Sequence, residues 1–412
     1  MEGLKRSPGA KQIVFVCPWF GVFAGGAERA VRTLARELGR RGSEVSVLTT
    51  CCGDLYGDWS LDTLPAGPDL CEGIPVHRFP LTKGLLDRYR EAVFHWTSGR
   101  DVPASVEYDF FRCGIGSDEL VASIASLPPS AAVVACPYFQ SLTYRALTDC
   151  PGRVHLLGAF HDEAQFHWRP VGDMLRRARG VLFLSEEEKD LAIRVYGHAV
   201  GRGLVEAPVV GLGCELDPAT RSLLRDPERS RSIRQGLGIP EMFFLALGRK
   251  EAGKGVRELV EWYRAYADGR RARGLPEVPL VLVGDGDASL VPDAGPFRSI
   301  GFVGEEEKFS LLWQARATLN LSPHESFSFV VMESWLCGTP VVVSADSEVT
   351  TGHCFRSAGG YAVRCREDFC AALAAFEDPE LADLAGAAGR AYVAQQYDWD
   401  SVADRFLRAL AA

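Results

Sequence analysis

At 412 residues the chain exceeds the size at which one hydrophobic core keeps growing, so two domains are expected. Its composition, 47% hydrophobic and 24% charged, is that of a folded globular protein. A net charge of −9, from 54 acidic and 45 basic residues, argues against a duplex nucleic acid partner, which favours a basic surface.

The opening residues, Met1-Glu2-Gly3-Leu4-Lys5-Arg6, do not read as a signal peptide, and no apolar run approaches the ~18 residues of a membrane span. A soluble, cytoplasmic protein is expected, with docking at the inner membrane surface left open. The twelve cysteines contain no C-x-x-C and no metal or redox spacing, which suits reduced thiols.

The chain begins with the grammar of a βαβ unit. Residues 13–16 are a continuous apolar run, suited to a strand buried on both faces of a parallel sheet. A glycine-bearing loop over 21–26 follows. Ala30, Val31, Leu34, Ala35 and Leu38 then recur at helical spacing, Gly42 ends the helix, and 45–48 start a second strand. Further strands are expected at 132–135, 154–157 and 181–184. The stretch from Cys51 to about Ser117, rich in Gly, Pro and aromatics, reads as irregular excursions with one helix.

Between Gly213 and Pro240 charge crowds in and apolar periodicity fades, which suggests an inter-domain connection. A second α/β series follows, with strands at 243–247, 279–283, 300–303, 317–321 and 341–344. Helices are expected from about Gly255, over 306–315 and over 329–337. These patterns predict an α/β protein of two Rossmann-like domains facing a central cleft: residues 1–215, a linker at 216–240, and residues 241–397. A last helix, 398–412, is expected to cross back over the domains.

The sharpest chemical signal is Glu325-Ser326-Phe327-Ser328-Phe329-Val330-Val331-Met332-Glu333. One acid lies in the loop after a strand, and the other lies roughly 6 Å into the following helix. The N–H groups and dipole at that helix start favour an anion between the two acids. A diphosphate there would leave the carboxylates to accept hydrogen bonds from sugar and ribose hydroxyls. Some seventy residues earlier, Leu247-Gly248-Arg249 closes a strand and Lys254-Gly255 opens a helix. This puts two cations and a glycine that allows close approach at a strand's carboxyl end.

The first segment resembles the E-x7-E element of the family 4 retaining glycosyltransferases, and the second is similar to that family's G-R-x4-K-G element. The resemblance implies the GT-B architecture, with the donor on the C-terminal domain. It implies that Glu325 contacts the donor sugar, Glu333 the nucleotide ribose, and Arg249 and Lys254 the diphosphate, with Gly248 beside them. Phe327, Ser328, Phe329 and Val330 would line the donor site. Weaker matches agree: Gly25-Gly26 before the first helix, Gly301-Phe302-Val303 at the nucleobase pocket, and Gly338-Thr339-Pro340 after the second acid. His161 resembles the family residue that touches the transferred sugar from the opposing domain. Ser326 and Ser328 depart from the pattern, since the family usually places glycines around that aromatic, and the departure bears on the donor's identity.

Other motifs point elsewhere but more weakly. Asp285-Gly286-Asp287 has a metal-binding D-x-D form, yet it follows a strand where the family has a Gly-Asp-Gly turn, so no metal is expected. Ser289 replaces the third glycine of a dinucleotide fingerprint, which argues against nicotinamide. His161 and His167 are not at the i, i+4 spacing of a helical zinc pair. The expected activity is therefore transfer of a sugar from a UDP- or GDP-sugar, without a further cofactor, to a glycan, lipid-linked saccharide or small molecule. An epimerase or hydrolase of the same architecture, or a non-catalytic sugar-nucleotide binder, is the alternative. The acceptor loops would be 18–23 and the region after Cys51.

Overall fold

The computed structural model of the chain describes residues 11–21, 25–53, 59–98 and 101–411. These divide into two compact units, one of residues 1–213 together with 400–412, the other of residues 214–399. Parts of both expected acceptor loops, residues 22–24 and 54–58, lie outside the described residues, as does the N-terminal stretch 1–10.

The first unit is built on seven strands: β1 (Gln12–Val16), β2 (Glu44–Thr50), β3 (Gly67–Cys71), β4 (Ile74–Phe79), β5 (Ala132–Ala135), β6 (Val154–Leu157) and β7 (Gly180–Leu182). Their order is β3-β4-β2-β1-β5-β6-β7, parallel throughout except for the β3–β4 hairpin. Continuous burial of β1, β5 and β6 follows from helices on both faces, as the run Ile13-Val14-Phe15-Val16 predicts. The helix Gly26–Arg40 buries Ala30, Val31, Leu34, Ala35 and Leu38, the apolar stripe read from the sequence. The helix Trp399–Ala409 completes this unit: Val402, Ala403 and Phe406 are buried, and the Phe406 ring lies 6.1 Å from that of Phe15.

The region after Cys51 is more regular than expected. It holds the β3–β4 hairpin, whose two turn residues, Glu72 and Gly73, both have positive φ, and the helices Leu86–Thr97, Ala104–Cys113 and Asp118–Ser126. Exposed β3 shows little apolar alternation, and this hid it.

The second unit has six parallel strands: β8 (Phe244–Leu247), β9 (Leu280–Val283), β10 (Phe297–Ile300), β11 (Thr318–Asn320), β12 (Val341–Ser344) and β13 (Gly360–Val363). Their order is β10-β9-β8-β11-β12-β13. The expected strand at 300–303 is displaced. At the sheet edge the pairing residues are Phe297 to Ile300, and Phe302 and Val303 fall in the following loop, with Phe302 70% exposed. Apolar residues in a loop had drawn the prediction past the strand's end.

The charged segment expected to link the domains is also different. It folds into the helices Pro218–Leu224 and Pro227–Gly236, both within the second unit. Each starts on an Asp N-cap followed by Pro, a start signal that outweighs weak periodicity. Their packing is partly polar: Arg234 Nε donates to Gln314 Oε1 at 2.8 Å, and Gln314 Nε2 to the Ser230 carbonyl at 2.8 Å.

All twelve cysteines are thiols. Among the described residues no helix is long and apolar enough to cross a membrane.

Candidate functional site

In both sheets the order reverses at a switch point, between β1 and β5 in the first unit and between β8 and β11 in the second. In open α/β sheets the crevice outside the strands' carboxyl ends at this point takes the ligand. The sequence elements singled out for the second unit fall on the two loops that flank its switch point. Gly248, Arg249 and Lys254 follow β8, and residues 321–328 follow β11.

Glycine brings these loops together. Gly255 has φ +69, and a Cβ there would collide with the carbonyl of Leu321. Two independent constraints thus select glycine, the left-handed backbone and the closeness of the neighbouring loop. The same holds at Gly284, φ +133, against the Gly248 carbonyl. Loops after β8, β9 and β11 therefore lie in direct backbone contact.

Across this junction Lys254 Nζ donates to Glu325 Oε1 at 3.1 Å, with Glu325 largely buried and Lys254 partly exposed. Arg249 is about half exposed and pairs with Glu251 at 3.2 Å. Beside them begins the helix Phe329–Cys337, hydrophobic on all sides and buried accordingly. Ser328, in the left-handed region at φ 65, precedes it, and its own side chain makes no capping bond. The Ser328 hydroxyl accepts instead from Asn320 Nδ2 at 3.1 Å.

Phe327 is not a lining residue on the surface. It is buried, with its ring edge-on to Tyr397, His353 and Phe329 at 5.0, 6.0 and 5.6 Å, so it anchors the loop from below. Val330 and Phe329 are half-buried. Glu333, one turn on, does not sit on a solvated face. It is 3% exposed and accepts from Lys308 Nζ at 3.0 Å. Asp285, behind the expected nucleobase loop, accepts the Phe302 N–H at 3.2 Å, and Asp287 accepts that of Ser289 at 2.9 Å. Both carboxylates of the D-x-D pattern thus bind backbone.

Two lysines near the site escaped the sequence reading. Lys250 is buried, donating to the carbonyls of Gly284 and Ile300 (2.8 Å for the latter), and burial lowers its pKa. It fastens the ends of β8, β9 and β10. Nothing in the sequence distinguishes it from its neighbours. Lys308 stands in Glu305-Glu306-Glu307-Lys308, which reads as an ordinary solvated run.

In the first unit, Gly25 is the N-cap of the helix Gly26–Arg40, and the Glu28 carboxylate folds over it so closely that a Cβ would collide. Around Glu28 a recess is lined by Cys17, Pro18, Trp19, Ala27, Cys136 and Pro137, at the β1/β5 switch point. Gly26, the first helical residue, has open space beside it. His161 follows β6, a quarter exposed, with Nδ1 3.7 Å from Glu163 Oε1. Its loop is held by Glu188, which accepts the N–H of Phe160 at 2.5 Å and that of Leu184. Burial pushes the Glu188 carboxyl up to about 8 against the pull of these N–H donors. The Ser185-x-x-Glu188 spacing, a capping box, was the available clue.

Residues 267–408 match the family model described as "Glycosyl transferase-like". Over 251 residues the chain is 32% identical to phosphatidyl-myo-inositol mannosyltransferase of Propionibacterium freudenreichii subsp. shermanii. That match covers 58% of this chain and 57% of the relative, so the chain spans just over half the relative's length. Among solved structures, trehalose-6-phosphate synthase OtsA superposes with a TM-score of 0.72 at 12% identity, covering 97% of this chain and 99% of that one. Sucrose-phosphate synthase from Thermosynechococcus elongatus gives 0.61 at 16%, covering 96% and 98%. Anabaena HepE in complex with UDP and glucose gives 0.62 at 16%, covering 98% and 100%. At such identities these likenesses establish the fold.

Proposed function

We propose that this chain, a protein of the GT-B glycosyltransferase type, moves a sugar from a UDP- or GDP-sugar to an acceptor hydroxyl, with retention of anomeric configuration and without a metal ion. One observation carries the reading. Lys254, Glu325 and the start of the helix Phe329–Cys337 meet at the β8/β11 switch point, where a glycine presses the two loops together.

The diphosphate would rest at that helix start, where N–H groups and dipole favour negative charge. Lys254 and Arg249 would stabilise the charge that grows on it as the bond to the anomeric carbon breaks and the acceptor oxygen takes its place. These cations would do the work a divalent ion does in other phosphoryl and glycosyl sites. Glu325 would accept from the sugar hydroxyls, Glu333 from the ribose, and exposed Phe302 with Val303 would face the base. His161, with Gly25 and Gly26, is assigned to the first unit's share of the reaction, His161 touching the transferred sugar. Gly248 leaves room for the phosphates.

The relative's name makes mannose a first sugar to try, with lipid-linked inositol among the acceptors, and HepE makes glucose another. Thermal stabilisation by UDP, GDP, ADP and TDP identifies the base by mass action. Incubation of the matching sugar nucleotide with acceptors, in EDTA, and NMR of the product's anomeric proton follow. Retained configuration in EDTA supports the proposal. Consumption of the donor alone, yielding epimer or free sugar, would replace transfer by epimerisation or hydrolysis.

A further inference from the structure

We infer that Lys308 is a positioning residue for nucleotide recognition, holding the Glu333 carboxylate in the orientation that selects a ribose over a deoxyribose. The inference rests on the proposed ribose contact of Glu333. It starts from an oddity of burial. A carboxylate only 3% exposed, inside a helix that is otherwise apolar and serine, costs several kcal/mol to desolvate unless a countercharge lies beside it.

Lys308 supplies that countercharge from another element. Its Nζ lies 3.0 Å from Glu333 Oε1, and it also donates to Glu305 at 2.8 and 3.0 Å. The ammonium sits 4.5 Å from the ring centroid of Phe309, and the side chain is only 16% exposed. It is a fixed group, not a solvated lysine.

Its placement gives the pair a function beyond neutralising charge. Lys308 lies on the helix Glu305–Gln314, which leaves directly from the loop carrying Phe302 and Val303. Glu333 lies on the helix that begins at the proposed diphosphate site. The pair therefore ties the base-facing loop to the ribose-facing acid. A lysine donating to one carboxylate oxygen restricts the rotation of that group, and a carboxylate held in one orientation meets a ribose hydroxyl without losing further freedom.

The readout is the ratio of dissociation constants for 2′-deoxy-UDP and UDP (and for the guanine pair), measured by calorimetry on the full chain. For the unaltered protein we expect ribose to be preferred by roughly tenfold or more, the scale of one hydrogen bond to a charged group. Glu333→Gln should bring the ratio close to one. Lys308→Met should do the same with Glu333 intact, while Lys308→Arg, which keeps a cation in place, should retain most of the preference. A structural role alone would lower both affinities together and leave the ratio unchanged. If Lys308→Met keeps the preference while Glu333→Gln abolishes it, the inference fails and the ribose contact stands. If Glu333→Gln keeps the preference, the ribose contact fails, and the role of Lys308 with it. Should Lys308→Met not fold, a Lys308→Arg protein whose preference is lost would overturn the inference equally.

Discussion

Lys254 Nζ and Glu325 Oε1 stand 3.1 Å apart, joining the loop after β8 to the loop after β11. The cation proposed for the diphosphate is thus engaged by the acid proposed for the sugar. The two roles are coupled, because an arriving diphosphate competes with Glu325 for the same ammonium.

That coupling separates turnover from nucleotide binding. Lys254→Ala should lower turnover by roughly 10²–10³, the scale of losing one preorganised stabilising contact. Glu325→Gln should also lose turnover, yet bind the bare nucleoside diphosphate more tightly, by up to roughly fivefold, since a partly exposed pair is worth at most about 1 kcal/mol. Titration calorimetry alongside initial rates measures both. Weaker nucleotide binding by Glu325→Gln would show that the pair does not compete with the diphosphate.

Phe302 offers a cleaner separation of binding from stability. At 70% exposure it contributes little to the core, so Phe302→Ala should leave the melting temperature within about a degree of the parent. Nucleotide affinity should nonetheless fall by roughly 1–3 kcal/mol, the value of a stacked base. Equal affinity in the variant would take Phe302 out of the base pocket.

Gly255 should behave in the reverse manner. Gly255→Ala forces a side chain into φ +69 and into the Leu321 carbonyl, so a loss of at least roughly 1–3 kcal/mol is expected from strain alone. Urea unfolding measures it. Nucleotide affinity should drop as well, because relief of the collision moves the two loops apart and with them Lys254 and Glu325.

Acid sensitivity of the second unit is traceable to His353. Its ring is fully buried, with Nδ1 3.0 Å from the Tyr392 hydroxyl and 3.3 Å from Arg356, and the rings of Phe327 and Tyr397 beside it. Burial first, and then Arg356, push its pKa down to about 3 from the usual 6.5. The unfolded chain therefore takes up the proton more readily than the folded one. Stability is fully present above about pH 6.5 and declines as pH falls towards 3, by roughly 1.4 kcal/mol per unit. Between pH 6.5 and 5 the decline in urea midpoint should be shallower in His353→Gln than in the parent. Parallel slopes would mean that other groups set the acid limit.

The parts of this molecule legible in the sequence are those where one residue type answers one physical demand. Continuous apolar runs became buried parallel strands, and Phe329 to Cys337 became the helix behind the second site loop. The charged 217–236 segment misled because its helices are held by Asp caps and by polar packing through Arg234 and Gln314, which leave no apolar period. Phe327 misled in another way: an aromatic in a serine-rich loop suggests a ligand surface, and only the ring positions show it facing His353 and Tyr397. Lys308 was invisible because a buried partner twenty-five positions away along the chain has no local signature.

The helix Trp399–Ala409 follows the whole of the second unit in sequence, yet it belongs with the first. Until those residues leave the ribosome, Phe15 lacks the neighbour it meets in Phe406. The first half must therefore wait, incomplete, while the whole of the second is synthesised. Cutting out residues 400–411 would take away no residue assigned to the donor, and would still leave the first unit prone to clump.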